Sequence, residues 1–319
     1  MSDSWRETLP GVWRIDVFHP APEHTCCYLL VKNGEGALLD CGAKKGVSSV
    51  LSAVAAAGLA REDIRWIIPT HAHLDHAGAA GALMRHFSAA TLGAHPSTVK
   101  HLVNPHERLL PAAEKLYGEK FFNEQYAGAE AVPKSRAKSF ADGENADLGG
   151  EALRIIYSPG HAWHHAAVYA ESRGVLFAGD SYGVSFPGIG ADGEIFIVPV
   201  MPPTQFNPEA ARRTLENLRE LDAPHAALAH FGIAANSPAL ADRQIAALEE
   251  WTEKARKVAE TGGQFYPQFR EYLRGWYADA AAGIDIDSAA LLRGHAQDIH
   301  LTACGFAHWL EKENAAPAA

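Results

Sequence analysis

The chain has 319 residues, 47% hydrophobic and 21% charged, which is enough apolar material for one large domain or two smaller ones. Its formal net charge of -10 disfavours a generic nucleic-acid binder, because an acidic surface repels a phosphate backbone. No run reaches the roughly 20 apolar residues of a membrane helix, and the polar start lacks the basic and apolar pattern of a secretory signal, so a soluble, cytoplasmic protein is expected.

Residues 11–17, 25–32 and 35–41 read as strands, with Asn33-Gly34 as a hairpin signal. Residues 47–60 place Val47, Val50, Leu51 and Val54 at helical spacing. A short apolar strand, 64–69, runs into Thr70-His71-Ala72-His73-Leu74-Asp75-His76, and 77–87 reads as a helix. Residues 89–95 suit a strand and 96–103 a helix opened by proline. Residues 105–136, with helical patches and aromatics, read as an insertion lying over the site. Strands are expected at 137–143, 152–158, 166–170, 174–178 and 225–230. Asn207-Pro208-Glu209 opens a helix to about residue 221, with cap, first-turn proline and first-turn acid. After Ser237 the pattern turns helical, over 238–260 and 265–316. The expected division is an αβ body, 1–236, and a helical C-terminal region, 237–319.

Cys26, Cys27, Cys41 and Cys304 form no CxxC pair, and adjacent Cys26 and Cys27 would face opposite sides of a strand, so reduced, buried thiols are expected. Seventeen histidines are unusual, and they cluster. His71 and His73, two apart after a strand, face one side. Asp75 and His76 follow at the turn into a helix. Imidazole and carboxylate together suit zinc, and also iron or manganese. His161, Asp180 and His230 each close a strand-like run beside small residues that allow close backbone approach. Seven candidate ligands exceed the four that one zinc takes and suit two metals sharing a carboxylate. The other histidines, among them His19, His24, His95 and His101, show no second ligand spacing and read as packing or surface residues.

The segment HAHLDH, followed in order by SPGH, AGD and AHF, resembles the ligand motifs of the metallo-β-lactamase superfamily over roughly residues 11–236. The resemblance implies an αββα sandwich with the site at one edge. It implies His71, His73 and His161 on one metal, Asp75, His76 and His230 on the other, and Asp180 bridging. It further implies that Asp40 steadies the metal loop from behind. The aspartate at 180 is closer to the glyoxalase II and lactonase branches than to class B β-lactamases, which often carry cysteine there. Pro-Gly-His161-Ala-Trp-His164-His165 departs from the common PGHTPGH, with His164 in place of a glycine.

The implied chemistry is attack on a thioester, lactone or ester carbonyl by hydroxide held between two divalent cations. Asp75 would orient the nucleophile, and Tyr182 is a candidate helper for the oxyanion. Tyr182, Phe186, Phe196, Met201 and Phe206 are expected to form an apolar wall, whereas Phe265, Tyr266, Phe269, Tyr272, Trp276 and Tyr277 suit core packing. A small-molecule substrate and a homodimer are expected. Competing readings are an iron-dependent dioxygenase of the same fold, a nuclease, which the charge disfavours, and a non-catalytic metal-stabilised protein.

Overall fold

The computed structural model describes residues 4–185, 196–283 and 287–315. It divides the chain into two compact units. The first comprises Met1–Tyr157, His164–Gly179 and Asp222–Ala234; the second comprises Ser158–Trp163, Asp180–Leu221 and Ala235–Ala319. The helical unit thus takes in stretches well before residue 237.

The first unit is a sandwich of two mixed sheets. One has the order β1 (Trp5–Leu9), β2 (Val12–Asp16), β3 (Cys26–Lys32), β4 (Glu35–Leu39), β5 (Ile64–Ile68), β6 (Thr91–Ala94), β7 (Ala137–Ser139). Its first four strands are antiparallel and the pairs from β4 to β7 are parallel. The other sheet contains β8 (Asn145–Leu148), β9 (Glu151–Tyr157), β10 (Ala166–Ala170), β11 (Val175–Gly179), β12 (His225–Leu228) and β13 (Gly232–Ala235). These run in spatial order from β13 to β8, and the β11–β12 pair is parallel.

Strand alternation sorts the apolar side chains into two cores. Cys26, Tyr28 and Leu30 of β3 face the second sheet and pack with Leu153, Val168 and Phe177. Cys27 and Leu29 face outward and pack with Val50 and Val54 of α1 (Val47–Ala56) and with Leu83 and Met84. The two adjacent cysteines therefore point to opposite faces, as the strand reading requires. Cys26, Cys27 and Cys41 are buried, Cys304 is half-buried, and all four are free thiols.

The helix expected at 77–87 is broken. α2 (Leu74–Ala77) ends at Gly78, and α3 (Ala80–His86) begins two residues later. Ala79 N–H donates to Gly42 O at 2.8 Å, so the chain hands one backbone bond to the β4 loop at that point. α4 (Pro96–Val103) matches its expected span. Within the 105–136 stretch, α5 (Leu109–Tyr117) and α6 (Glu119–Gln125) bring Leu109, Leu110, Tyr117 and Phe121 against a buried trio of Ala43, Leu74 and Tyr126. The insertion is seated on the residue next to Asp75.

Arg173 fastens one edge of the sandwich. Its guanidinium donates to both oxygens of buried Glu151 on β9, at 2.7–2.9 Å, and to the carbonyls of Val31 on β3 (2.8 Å) and Pro10 (3.0 Å). Gly11, at φ +68°, lets this happen, since a Cβ there would lie 2.6 Å from Arg173 Nη1.

The second unit contains α7 (Pro208–Arg219), α8 (Pro238–Glu260), α9 (Phe265–Ala282), α10 (Ser288–Gly294) and α11 (Ala296–Ala315). Asn207 caps α7 by accepting from Ala210 N–H at 2.8 Å, as expected. The stretch expected to be helical from 265 to 316 consists of three helices. Asp287 caps α10 through Ala289 N–H at 2.9 Å, and His295 separates α10 from α11. The core of this unit joins Trp251, Phe269, Tyr277 and Phe306 with Val198, Val200, Met201 and Phe206. Met201 and Phe206, expected in an apolar wall, are buried in this core, where Phe206 packs edge-on to Phe306 at 4.9 Å. Phe196 also packs against this core, while Phe186 lies outside the described residues. Among the described residues, no helix is long and apolar enough to cross a membrane.

Candidate metal centre

Every candidate ligand follows the end of a strand, where backbone leaves the ladder and side chains converge. After β5 the chain runs through Thr70, His71 and His73 into α2. Asp40, directly after β4, sits in the left-handed region at φ +56°, which aspartate tolerates better than most residues. That turn brings its carboxylate under the loop. Oδ1 accepts from Thr70 N–H (2.7 Å) and Thr70 Oγ1–H (2.9 Å), and Oδ2 meets His76 Nδ1 at 3.1 Å. His71 Nδ1 lies 3.1 Å from Thr70 Oγ1, whose proton already goes to Asp40. In this network His71 and His76 donate through Nδ1, which places each lone pair on Nε2.

His230, two residues beyond β12, is held the same way. Its Nδ1 faces His24 O at 3.1 Å and Thr25 Oγ1 at 3.3 Å. Its Nε2 lies 3.4 Å from Asp75 Oδ2, and His76 Nε2 lies 3.5 Å from that same oxygen. One ligand atom from each of Asp75, His76 and His230 thus falls within 4.8 Å of the others. Burial works against ionising Asp75, but the charges and hydrogen bonds of His76 and His230 outweigh it and hold the carboxyl well below the usual range. His71 completes the group, its ring 4.2 Å from His76 and 4.4 Å from His73.

The first unit therefore brings together five of the seven expected ligands: His71, His73, Asp75, His76 and His230. The other two belong to the second unit, where His161 Nε2 lies 3.2 Å from Asp180 Oδ2. His161 Nδ1 is fixed by Val200 O at 2.9 Å. This donor chemistry fits a divalent cation, because each of these imidazoles except His73 has Nδ1 tied to an oxygen and the approach to the carboxylates is through Nε2.

Gly179 shows why a small residue precedes Asp180. At φ +51°, a Cβ would lie 2.5 Å from His165 Nε2 and 2.7 Å from Thr70 Oγ1. His165 stands behind His71, ring centroids 5.0 Å apart. His164 is buried, with Nδ1 3.3 Å from Thr98 Oγ1 and its ring near His71, His73 and His101. Burial, reinforced by His73 and neighbouring imidazoles, lowers its pKa to about 2, so it is neutral at any working pH. Tyr182 is fully buried in the second unit, and its hydroxyl donates to Asn236 Oδ1 at 2.8 Å.

Sequence reasoning passed over Thr25, Thr70 and the carbonyl of His24, since a backbone oxygen or a threonine carries no ligand signature. It also passed over His19 and Tyr126, whose side chains meet at 3.0 Å across 107 residues.

Residues 21–232 match the metallo-beta-lactamase superfamily. The metallo-beta-lactamase fold-containing protein ST1585 of Sulfurisphaera tokodaii is 32% identical over 145 residues, 44% of this chain and 51% of that protein. A hydroxyacylglutathione hydrolase of Aeromonas hydrophila is 30% identical over 115 residues, 36% of this chain and 32% of that enzyme. The chain thus matches about half of the first relative and about a third of the second. The crystal structure of the metallo-beta-lactamase family protein TTHA1429 from Thermus thermophilus superposes with a TM-score of 0.67 at 23% identity, covering 97% of this chain and 96% of that one. The ST1585 structure does so at 0.63 and 23%, covering 90% and 93%. These likenesses extend the shared fold through the helical C-terminal region.

Proposed function

The chain belongs to the metallo-β-lactamase superfamily, and from that premise we propose that it is a metal-dependent hydrolase with a dinuclear centre, cleaving a thioester, ester or lactone of a small molecule. The observation that carries this reading is the convergence of His76 and His230 Nε2 on one oxygen of Asp75, with both Nδ1 atoms tied back to oxygens. His71, His73 and His161 would hold one cation, Asp75, His76 and His230 the other, with Asp180 shared. Zinc is the proposed ion, and iron or manganese would suit the same donors. When bound, such ions lower the pKa of water and act as Lewis acids toward a carbonyl.

The protein's own part is placement. Asp75, kept ionised, orients the attacking water, and Asp40 keeps the loop and the His76 ring in register. Tyr182 is the proposed helper at the carbonyl oxygen. Its hydroxyl is held by Asn236, so an unchanged kcat in Tyr182→Phe would assign the residue to packing instead. A β-lactam substrate is not proposed: the lactamase structures that share this fold do so at identities that speak for fold alone.

The experiment is a screen of the zinc-, iron- and manganese-loaded chain against thioesters, lactones and aryl esters, beside Asp180→Ala. Hydrolysis by the native chain that falls to background in the variant is the expected result. Oxygen uptake by the iron form without hydrolysis would overturn the reading in favour of dioxygenase chemistry.

A further inference from the structure

The loop between β2 and β3 ends against His230. Cys26 N–H donates to Ala229 O at 2.8 Å, and His230 Nδ1 faces His24 O at 3.1 Å and Thr25 Oγ1 at 3.3 Å. A carbonyl oxygen can only accept, so His230 donates through Nδ1 and its Nε2 lone pair is left for the Asp75 side, 3.4 Å from Oδ2. The placing of residues 24 and 25 thereby fixes the direction in which this imidazole can serve a cation.

One buried carboxylate at the other end of the loop closes it. Asp16 Oδ1 accepts from Phe18 N–H at 2.8 Å, and Oδ2 accepts from Glu23 N–H at 2.9 Å. Phe18 and Glu23 stand at φ +52° and +56°, a left-handed region that neither residue type favours. Phe18 and residues 20–23 are also exposed, so little packing holds this backbone in place. Two disfavoured conformations persist only where the surroundings over-determine them, and Asp16 supplies an acceptor at both. Val17 then locks the entry. Its N–H donates to Thr25 O at 3.2 Å, and its side chain is seated on Gly42 and Gly46, where a Cβ would lie 2.8 and 2.6 Å from Val17 Cβ. Gly42 belongs to the Asp40 turn behind His76. Asp16 and Val17 thus stand between the supports of the two histidines that converge on Asp75.

We infer that Asp16 is a positioning residue for the metal centre. By closing the β2–β3 loop it holds the His24 carbonyl and the Thr25 hydroxyl where they aim His230, and a cation bound at Asp75, His76 and His230 tightens that loop in return. The inference rests on reading this group as a metal site, and it adds a residue that none of the ligand motifs contains.

Coupling between two sites is reciprocal: the factor by which the closed loop improves zinc affinity is the factor by which zinc suppresses loop opening. In the full native chain, amide exchange at Phe18 and Glu23, followed by 1H–15N spectra, should slow about tenfold when zinc saturates, the low end for a partner behind a ligating histidine. Asp16→Asn keeps the shape and one acceptor, and zinc affinity should fall about threefold; Asp16→Ala keeps neither acceptor, and the fall should be about tenfold. In the zinc-free, histidine-labelled Asp16→Asn chain, the Nδ1–H signal of His230 should broaden while that of His76, held by Asp40, persists. Zinc that binds without slowing exchange at Phe18 and Glu23 overturns the inference, as does joint loss of the His76 and His230 signals in the variant. The exchange measurement uses the native chain and decides the matter even where a variant fails to fold. A chain that takes up no zinc overturns both the metal centre and this inference. One whose loop tightens on zinc but which hydrolyses no ester, thioester or lactone keeps this inference and loses the hydrolase reading.

Discussion

Asp40 is engaged on both carboxylate oxygens, by Thr70 and by His76, and its backbone already occupies a conformation that asparagine shares. Asp40→Asn therefore removes the charge and one acceptor without asking the chain to move. Zinc affinity, measured by competition with a chromophoric chelator, should fall about 10- to 100-fold, the usual cost of losing a partner behind a ligating histidine. Native affinity in the variant would show that the loop holds its shape without the carboxylate. Gly179 tests the same network from the other side. A methyl there collides with His165 and Thr70, so Gly179→Ala should cost about 1–3 kcal/mol by urea unfolding. The ligands themselves were legible in the sequence, because histidines two apart after an apolar strand can serve one cation. Their supports were not: Thr25 and the His24 carbonyl acquire meaning only once the end of β12 meets the start of β3, where Cys26 N–H donates to Ala229 O.

At the scale of elements, the clasp of Arg173 on Glu151 joins β9 to β3 and to the β1–β2 turn. Burial resists ionisation of Glu151, but Arg173 and Ser172 outweigh it and hold the carboxyl below its ordinary 4.5. A carboxyl depressed in the folded state lends stability above its unfolded pKa, and that stability drains away as pH falls through the folded value. Glu151→Gln should thus cost about 3 kcal/mol at pH 7, the low end for breaking a buried pair. The gap between variant and native chain in urea should narrow below about pH 4.5. An equal gap at pH 7 and pH 3.5 would show that the charge is not what fastens this edge. Elements with a buried face were legible from periodicity, including α4 and α8, whose spans agree with the structure. β1 and β8 were missed because they are short and polar (WRETL and NADL), with too few apolar positions to alternate. The 77–87 helix is present from Ala80 to His86 but interrupted at Gly78 and Ala79, because a tertiary bond from Ala79 to Gly42 displaces the helical one.

For the molecule as a whole, cation binding should appear as stability. An ion that binds only the folded state adds about 2.7 kcal/mol at a hundredfold excess over its Kd. The thermal midpoint of the full chain should therefore drop with a chelator and recover with zinc, and Asp180→Ala should recover less. A midpoint indifferent to both treatments would contradict a built metal centre.

The helical unit draws on Ser158–Trp163 and Asp180–Leu221 as well as the C-terminal stretch, and its core joins Val198, Met201 and Phe206 to Trp251 and Phe306. A gene cut after codon 236 would not yield a trimmed, folded protein. It would strand a set of sticky side chains in the middle of the remaining polypeptide, and the product should collect in inclusion bodies. Anyone wishing to graft this module onto another scaffold would have to transplant three stretches at once.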